Sequence, residues 1–253
     1  MILFSTQQNI TISIILMIVS YLIGSIPFGL VFGKLFKHID IRNYGSGNIG
    51  STNSIRTLGY KLGIPVFLCE VLKGALVILL VRFVFDTKIF DNPVPLIIYG
   101  FFADMGHLFP IYLKFKGGKI VGPSLGIVLA LTPIPALACL ICFVIILLTI
   151  GYVSIASCSA ATTVVFITWL QFILGQNYNN DFLNYLWGKV DITTAILYTV
   201  LAIIIFIRHI SNFKRLLKGT EAKAKIKIKL EEKAKLKKEN KKSSLWRVPL
   251  KLD

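Results

Sequence analysis

Long apolar stretches separated by short polar ones organise the chain. Runs at 10–36, 64–85, 94–113, 134–150, 154–174 and 192–207 approach or exceed the roughly 20 residues a helix needs to cross a bilayer. A further run at 121–131 is shorter. It begins in a Gly/Lys insert and ends at Thr132-Pro133-Ile134-Pro135, which suits a thin crossing or a re-entrant half. The pattern predicts an all-α integral membrane protein of about seven transmembrane helices, with re-entrant or short helical elements and cytoplasmic glycine-rich loops.

Composition agrees. Of 253 residues 55% are hydrophobic, and the mean hydropathy is +0.74, above the roughly 45–50% apolar content of soluble domains. The formal charge of +16 is uneven, because from Arg208 onward 16 Lys/Arg face 5 Asp/Glu, so +11 sits at the C-terminal end. Residues 1–220 read as the membrane domain and 221–253 as a basic tail, disordered or at the membrane surface. The tail has too little apolar area for a core and suits attraction to anionic lipid. Trp246 is its only aromatic residue, which argues against a nucleic-acid arm. Cys69, Cys139, Cys142 and Cys158 lie inside apolar runs, as small core residues would, and not in loops where an oxidised scaffold would place them. The first run lacks the charged start and cleavage site of a signal peptide and is expected to persist as a helix.

Basic residues orient the chain. Lys37, Arg42, Arg56 and Lys61 follow the first run, Lys114, Lys116 and Lys119 follow the third, and the tail is basic throughout. These segments, with the turn at 151–157, are expected on the cytoplasmic side. The segments 86–92 and 175–191 carry one lysine each and are expected outside, as is the N-terminus.

Candidate chemistry lies in the polar inserts. Gly45-Ser46-Gly47-Asn48-Ile49-Gly50-Ser51-Thr52-Asn53 has little side-chain bulk and many hydroxyls and amides, flanked by Arg42 and Arg56. Its glycines allow backbone N–H groups to converge, and a helix from about Ser51 would add its positive end, the requirements for holding a phosphate. Lys114-Phe115-Lys116-Gly117-Gly118-Lys119 has the same character and is placed in the same pocket. Glu70 and Lys73, three apart, read as a pair cancelling two embedded charges. Asp104 and His107 share that spacing. Two ligands are too few for a metal, and His107 is placed with the substrate-binding residues. His209 and Asn212 follow the last run, where the histidine can act as base or hydrogen-bond donor. Gly24 and Gly29 suit close helix packing. There is no strong Ser/His/Asp arrangement and no GxxxxGK[ST] loop, so a covalent enzyme intermediate is unsupported.

Taken together, GSIPFG at 24–29, DIRNYGSGNIGSTNSIRTLG at 40–59, EVLKGA at 70–75, GHLFPIYLKFKGGK at 106–119, YVSIAS at 152–157 and RHISNFKRLLKGTE at 208–221 resemble the bacterial acyl-phosphate:glycerol-3-phosphate acyltransferases. The resemblance implies transfer of a fatty acyl group from acyl phosphate to the 1-hydroxyl of glycerol 3-phosphate, giving lysophosphatidate and phosphate. It implies no cofactor and no metal, a lipid bilayer as setting, and the enzyme that supplies acyl phosphate as a candidate partner. It places phosphate binding on Ser46, Gly47, Asn48 and Arg56, and further site roles on Lys119, Ser154, Ser157, His209 and Asn212. The chain departs from the family's GGKG-V-A-T by reading Lys119-Ile120-Val121-Gly122-Pro123. Two other classes fit part of the pattern, a membrane lipid-phosphate phosphatase and a transporter of phosphorylated metabolites. The first needs a carboxylate on its histidine and none follows His209 before Glu221; the second needs internal repeats and none is evident.

Overall fold

The computed structural model describes residues 5–85, 94–175 and 181–224. The segment 86–92 and the tail beyond 224 lie outside them. The described residues form ten α-helices, short 3-10 turns and a π-helical turn, with no strand among them. Four largely helical stretches, Thr6–Ser25, Tyr60–Phe83, Val153–Leu174 and Leu183–Leu217, the last interrupted at 188–191, are apolar and long enough to cross a bilayer. Three apolar ones, Ile97–Leu113, Val121–Leu131 and Pro133–Thr149, are shorter.

Local chemistry sets the boundaries. Helix α1 (Thr6–Ser25) opens on a capping box in which Ser5 and Gln8 exchange side-chain and backbone bonds. The run expected as one span over 10–36 is divided. Pro27 lacks an N–H, Ile26 is extended, and α2 (Phe28–Lys37) starts afresh. After a 3-10 turn at Ile41–Asn43 come the short α3 (Ser51–Leu58) and then α4 (Tyr60–Leu80), which passes into a π-helical turn at Val81–Phe85. Helices α5 (Ile97–Leu108), α6 (Val121–Leu131), α7 (Pro133–Thr149) and α8 (Val153–Leu174) follow. The expected outer segment at 175–191 contains a helix the sequence did not announce, α9 (Asp181–Trp187). Helix α10 (Ile192–Leu217) is capped by the Asp191 carboxylate, which accepts the Thr194 N–H at 2.7 Å.

The helices pack mainly as α1 on α5, α4 on α6, α7 on α8 and α8 on α10. A β-carbon added at Gly24 would come within 2.1 Å of the Ala103 carbonyl, and one at Gly29 within 2.2 Å of the Ile49 carbonyl. Gly24 therefore joins α1 to α5, while Gly29 brings α2 against the glycine-rich loop. Tyr99, Ile78, Ile97 and Ile127 form the centre of the core. Leu72, Ile145, Phe166 and Ile203 face outward, as an apolar solvent requires.

Helix α6 coincides with the short run. By the helical rise its 11 residues span about 16 Å, half the hydrocarbon thickness. Its start packs against Glu70, about 15 Å along α4 from Tyr60 by the same rise. The peptide entering α6 therefore lies within the bundle. Pro123 sits in the first turn, where an N–H would have no helical partner, so the proline departure is accommodated.

Glu70 and Lys73 do pair. Glu70 Oε2 lies 2.8 Å from Lys73 Nζ and 3.0 Å from His107 Nδ1, all three residues being buried. Lys73 also donates to the Ile26 carbonyl at 2.9 Å, at the break between α1 and α2. Asp104 and His107 have separate partners, since Asp104 accepts a bond from Ser124 Oγ at 2.5 Å.

Candidate active site

The loop before α3 is organised around Asn53. Its side-chain amide donates to the carbonyls of Ile41 (2.9 Å), Tyr44 (3.2 Å) and Asn48 (2.9 Å), and its Oδ1 accepts the Ser46 N–H at 2.9 Å. Gly45 and Gly47 adopt φ of +60° and +70°, a region costly for side chains. At Gly45 a β-carbon would also come within 2.3 Å of Asn53 Oδ1. Asn48 Oδ1 accepts the Gly50 N–H at 2.9 Å. Arg42, expected to flank the anion site, instead lies exposed on Asp40, with its Nη2 2.6 Å from Oδ2. That guanidinium holds the Asp40 carboxyl down at about 2.

Lys119 comes from the other insert. Its ammonium donates to Asn212 Oδ1, Asn212 Nδ2 donates to Glu221 Oε1 at 2.7 Å, and Arg215 Nε donates to Glu221 Oε2 at 2.8 Å. Burial pushes Lys119 down to about 8, with Arg215 and Arg208 adding to the shift and Glu221 opposing it. Ile120 has a φ of +56° and a fully buried side chain. For a residue other than glycine that conformation costs about 1–2 kcal/mol, which burial of an isoleucine side chain, about 1.5–3 kcal/mol, offsets.

The chain after α10 closes over this region. The Arg56 guanidinium donates to the Ala222 carbonyl at 3.2 Å, and the Ala224 N–H to the Gly151 carbonyl at 2.8 Å. Segment 219–224 thus straps α3 to the turn before α8. Ser154 and Ser157 lie in the first turns of α8, with buried hydroxyls that make no hydrogen bond within the described residues. No side chain caps that helix start. His209 Nδ1 lies 2.8 Å from the Ile205 carbonyl of its own helix. Because a carbonyl only accepts, Nδ1 carries the proton and Nε2 is the nitrogen left to exchange one.

These groups meet on a cavity of about 360 Å3. Of the residues expected from sequence, Ser46, Asn48, Gly50, Thr52, Asn53, Arg56, His107, Lys119, Ser154, Ser157, His209 and Asn212 line it. Gly45, Gly47, Gly117 and Gly118 shape the loops without lining it. Lys116 does not line it either; it sits on the turn closed by its N–H to the Leu113 carbonyl at 3.1 Å, and its side chain is exposed. Two features were not read from sequence, namely Glu221, which lines the cavity and accepts from Asn212, and the apolar lining residues Phe67, Phe143, Leu147 and Val153. Phe67, Phe143 and Leu147 were concealed because they sit inside runs that read uniformly as membrane helix.

Fold and cavity together define an integral membrane protein whose bundle holds a pocket lined by basic, hydroxyl-bearing and apolar side chains. A family model described as glycerol-3-phosphate acyltransferase matches residues 14–219. The glycerol-3-phosphate acyltransferase of Acholeplasma laidlawii is 40% identical over 217 residues, covering 83% of this chain and 92% of that one. That of Macrococcus caseolyticus is 38% identical over 213 residues, covering 84% and 97%. Among solved structures, PlsY, an integral membrane glycerol 3-phosphate acyltransferase, in its glycerol 3-phosphate form is 35% identical with a TM-score of 0.69, covering 83% of this chain and 94% of that one. Its lysophosphatidic acid form is 34% identical with a TM-score of 0.66 over the same shares. The chain belongs to the glycerol-3-phosphate acyltransferase family, and it is a membrane acyltransferase.

Proposed function

We propose that the protein transfers a fatty acyl group from acyl phosphate to the 1-hydroxyl of glycerol 3-phosphate, releasing lysophosphatidate and inorganic phosphate. The observation that carries this reading is one cavity with two chemistries. Arg56, Lys119, Ser154 and Ser157 line it together with Phe67, Phe143 and Leu147, so groups suited to a phosphate and to an acyl chain share one cavity. A relative solved with lysophosphatidic acid supports the product.

In the reaction the acceptor oxygen attacks the acyl carbonyl carbon, and the carbon–oxygen bond to the leaving phosphate breaks. Charge on the departing phosphate is met by Arg56, Lys119 and the donors at the start of α8. The leaving group is already activated, so proximity and electrostatics suffice without an enzyme nucleophile. The hydroxyl proton goes to the acceptor's own phosphate, whose second pKa is near 6; His209 Nε2 is the alternative acceptor. A phosphatase would orient its histidine with a carboxylate, whereas His209 Nδ1 meets a peptide carbonyl.

Purified protein given acyl phosphate and glycerol 3-phosphate is expected to form lysophosphatidate and phosphate with chelator present, and to use acyl-CoA poorly. Equal rates with acyl-CoA, or loss of activity on chelation, would show the donor or the mechanism to be wrong.

The same reading places the pocket, the loops 37–63 and 114–123, the turn 151–157 and the C-terminus in the cytoplasm, with the N-terminus outside. Residues 1–220 form the catalytic body and 221–253 attach to anionic lipid, the first four of them seated at the cavity. In sealed right-side-out vesicles, cysteines introduced at Ser51 and Lys116 are expected to resist an impermeant thiol reagent. Labelling of either from outside reverses the orientation.

A further inference from the structure

The Lys119 peptide is preceded by two glycines, which leave its backbone free unless something else fixes it. The surroundings supply that fixation. The Gly118 N–H donates to the His107 carbonyl at 3.0 Å. A β-carbon at Gly117 would come within 2.1 Å of that carbonyl, and one at Gly118 within 2.1 Å of His107 Nε2. One side of the glycine pair therefore lies flat on the end of α5. The His107 ring is in turn backed by the buried Lys73 and Glu70, its Nδ1 being 2.9 Å from Lys73 Nζ.

Arg208 holds the other side. Its Nε donates to the Gly118 carbonyl at 3.0 Å and its Nη2 to the Gly117 carbonyl at 2.9 Å. The fork of the guanidinium matches two consecutive carbonyls in a way the single ammonium of lysine does not. Arg208 is not among the residues lining the cavity. It stands one helical turn before Asn212, whose Oδ1 accepts the Lys119 ammonium. The helix that carries Lys119's partner thus also carries the group that grips the peptide before Lys119.

We propose that Arg208 is a positioning residue, its fork on the Gly117 and Gly118 carbonyls aiming Lys119 at Asn212 and the leaving phosphate. This rests on the reading of Lys119 as a phosphate-holding residue. Arg208 acts on the reaction only through Lys119. Its replacement therefore matters while Lys119 is present and ceases to matter once Lys119 is gone.

The test is a double-mutant cycle with Arg208→Lys, which keeps the charge and loses the fork, and Lys119→Ala. Arg208→Lys is expected to lower kcat by about tenfold to a hundredfold, the range for a small misplacement of a catalytic group, with KM for glycerol 3-phosphate within about twofold. In the Lys119→Ala background the same change is expected to cost nothing further, the non-additivity of residues acting as a unit. Multiplicative losses, as lowered folding would give, overturn the proposal, as does a wild-type kcat in Arg208→Lys. Arg208→Gln serves the same cycle if Arg208→Lys does not fold. Hydrogen–deuterium exchange over 114–120 is a second measurement independent of turnover. It is expected to speed in either Arg208 variant, and unchanged exchange overturns the proposal. Near-normal turnover in Lys119→Ala alone removes the functional reading instead.

Discussion

Lys119→Ala is expected to lower turnover by roughly a hundredfold or more, the usual loss when one donor to developing charge is removed from a water-poor site. Arg56→Ala is expected to fall in the same range, because both residues line the cavity and carry full charges. Unfolding temperature is expected to move far less than turnover, since neither residue belongs to the core cluster. Near-normal rates in either variant remove that residue from the site. Lys119 adds a pH signature. Its ammonium, pushed down to about 8, is required charged, so kcat/KM is expected to fall as pH rises through about 8, a limb reporting the free enzyme. Lys119→Arg, which does not titrate there, should lack that limb.

Stability follows the opposite sign. The unfolded chain holds the Lys119 proton up to about 10.5 and the folded chain only to about 8, so between those values the unfolded state binds more protons. The contribution of Lys119 to stability therefore rises over the interval in which activity falls. A joint fall of both would assign the limb to unfolding.

The second large effect concerns the proton. With the acceptor phosphate as base, His209→Gln is expected to keep measurable activity, and its pH–rate profile still follows phosphate ionisation near pH 6. With His209 as base the variant would be nearly inactive and the acidic limb of its residual rate would disappear. The fold bears on this choice. Asp104 is engaged with Ser124, and the His209 ring is held by the Ile205 carbonyl. That contact fixes the tautomer without supplying a counter-charge for an imidazolium. The phosphate route fits this arrangement, and loss of the acidic limb would overturn it.

Much of the architecture was legible because a bilayer imposes a length and a composition on what crosses it. The runs at 134–150 and 154–174 agree with α7 and α8 to within a residue at each end. The run at 10–36 misled because hydropathy does not register direction, and only Pro27 marked the place where α1 gives way to α2. The polar inserts were legible as cavity-lining segments because glycines, hydroxyls and basic residues between spans have few other uses. What each would touch was not. Asn53 reads like Asn48 in a polar loop, yet one ties four backbone groups together and the other ties one. Glu221 was passed over because it follows the last helix, where a carboxylate ordinarily faces water; the chain turns back at Gly219, with φ of +69°, and buries it.

That turn back sets how far the chain can be shortened. Ending it at residue 220, where the lysine-rich region begins in the sequence, would remove the Glu221 carboxylate from Asn212 and Arg215, the Ala222 carbonyl from Arg56, and the Ala224 N–H from Gly151. Ending it after Ala224 would spare all of them. Four residues thus separate a trimmed enzyme with its pocket wall intact from one whose Arg56 and Asn212 have both lost a partner, and an affinity tag meant to spare activity belongs beyond Ala224.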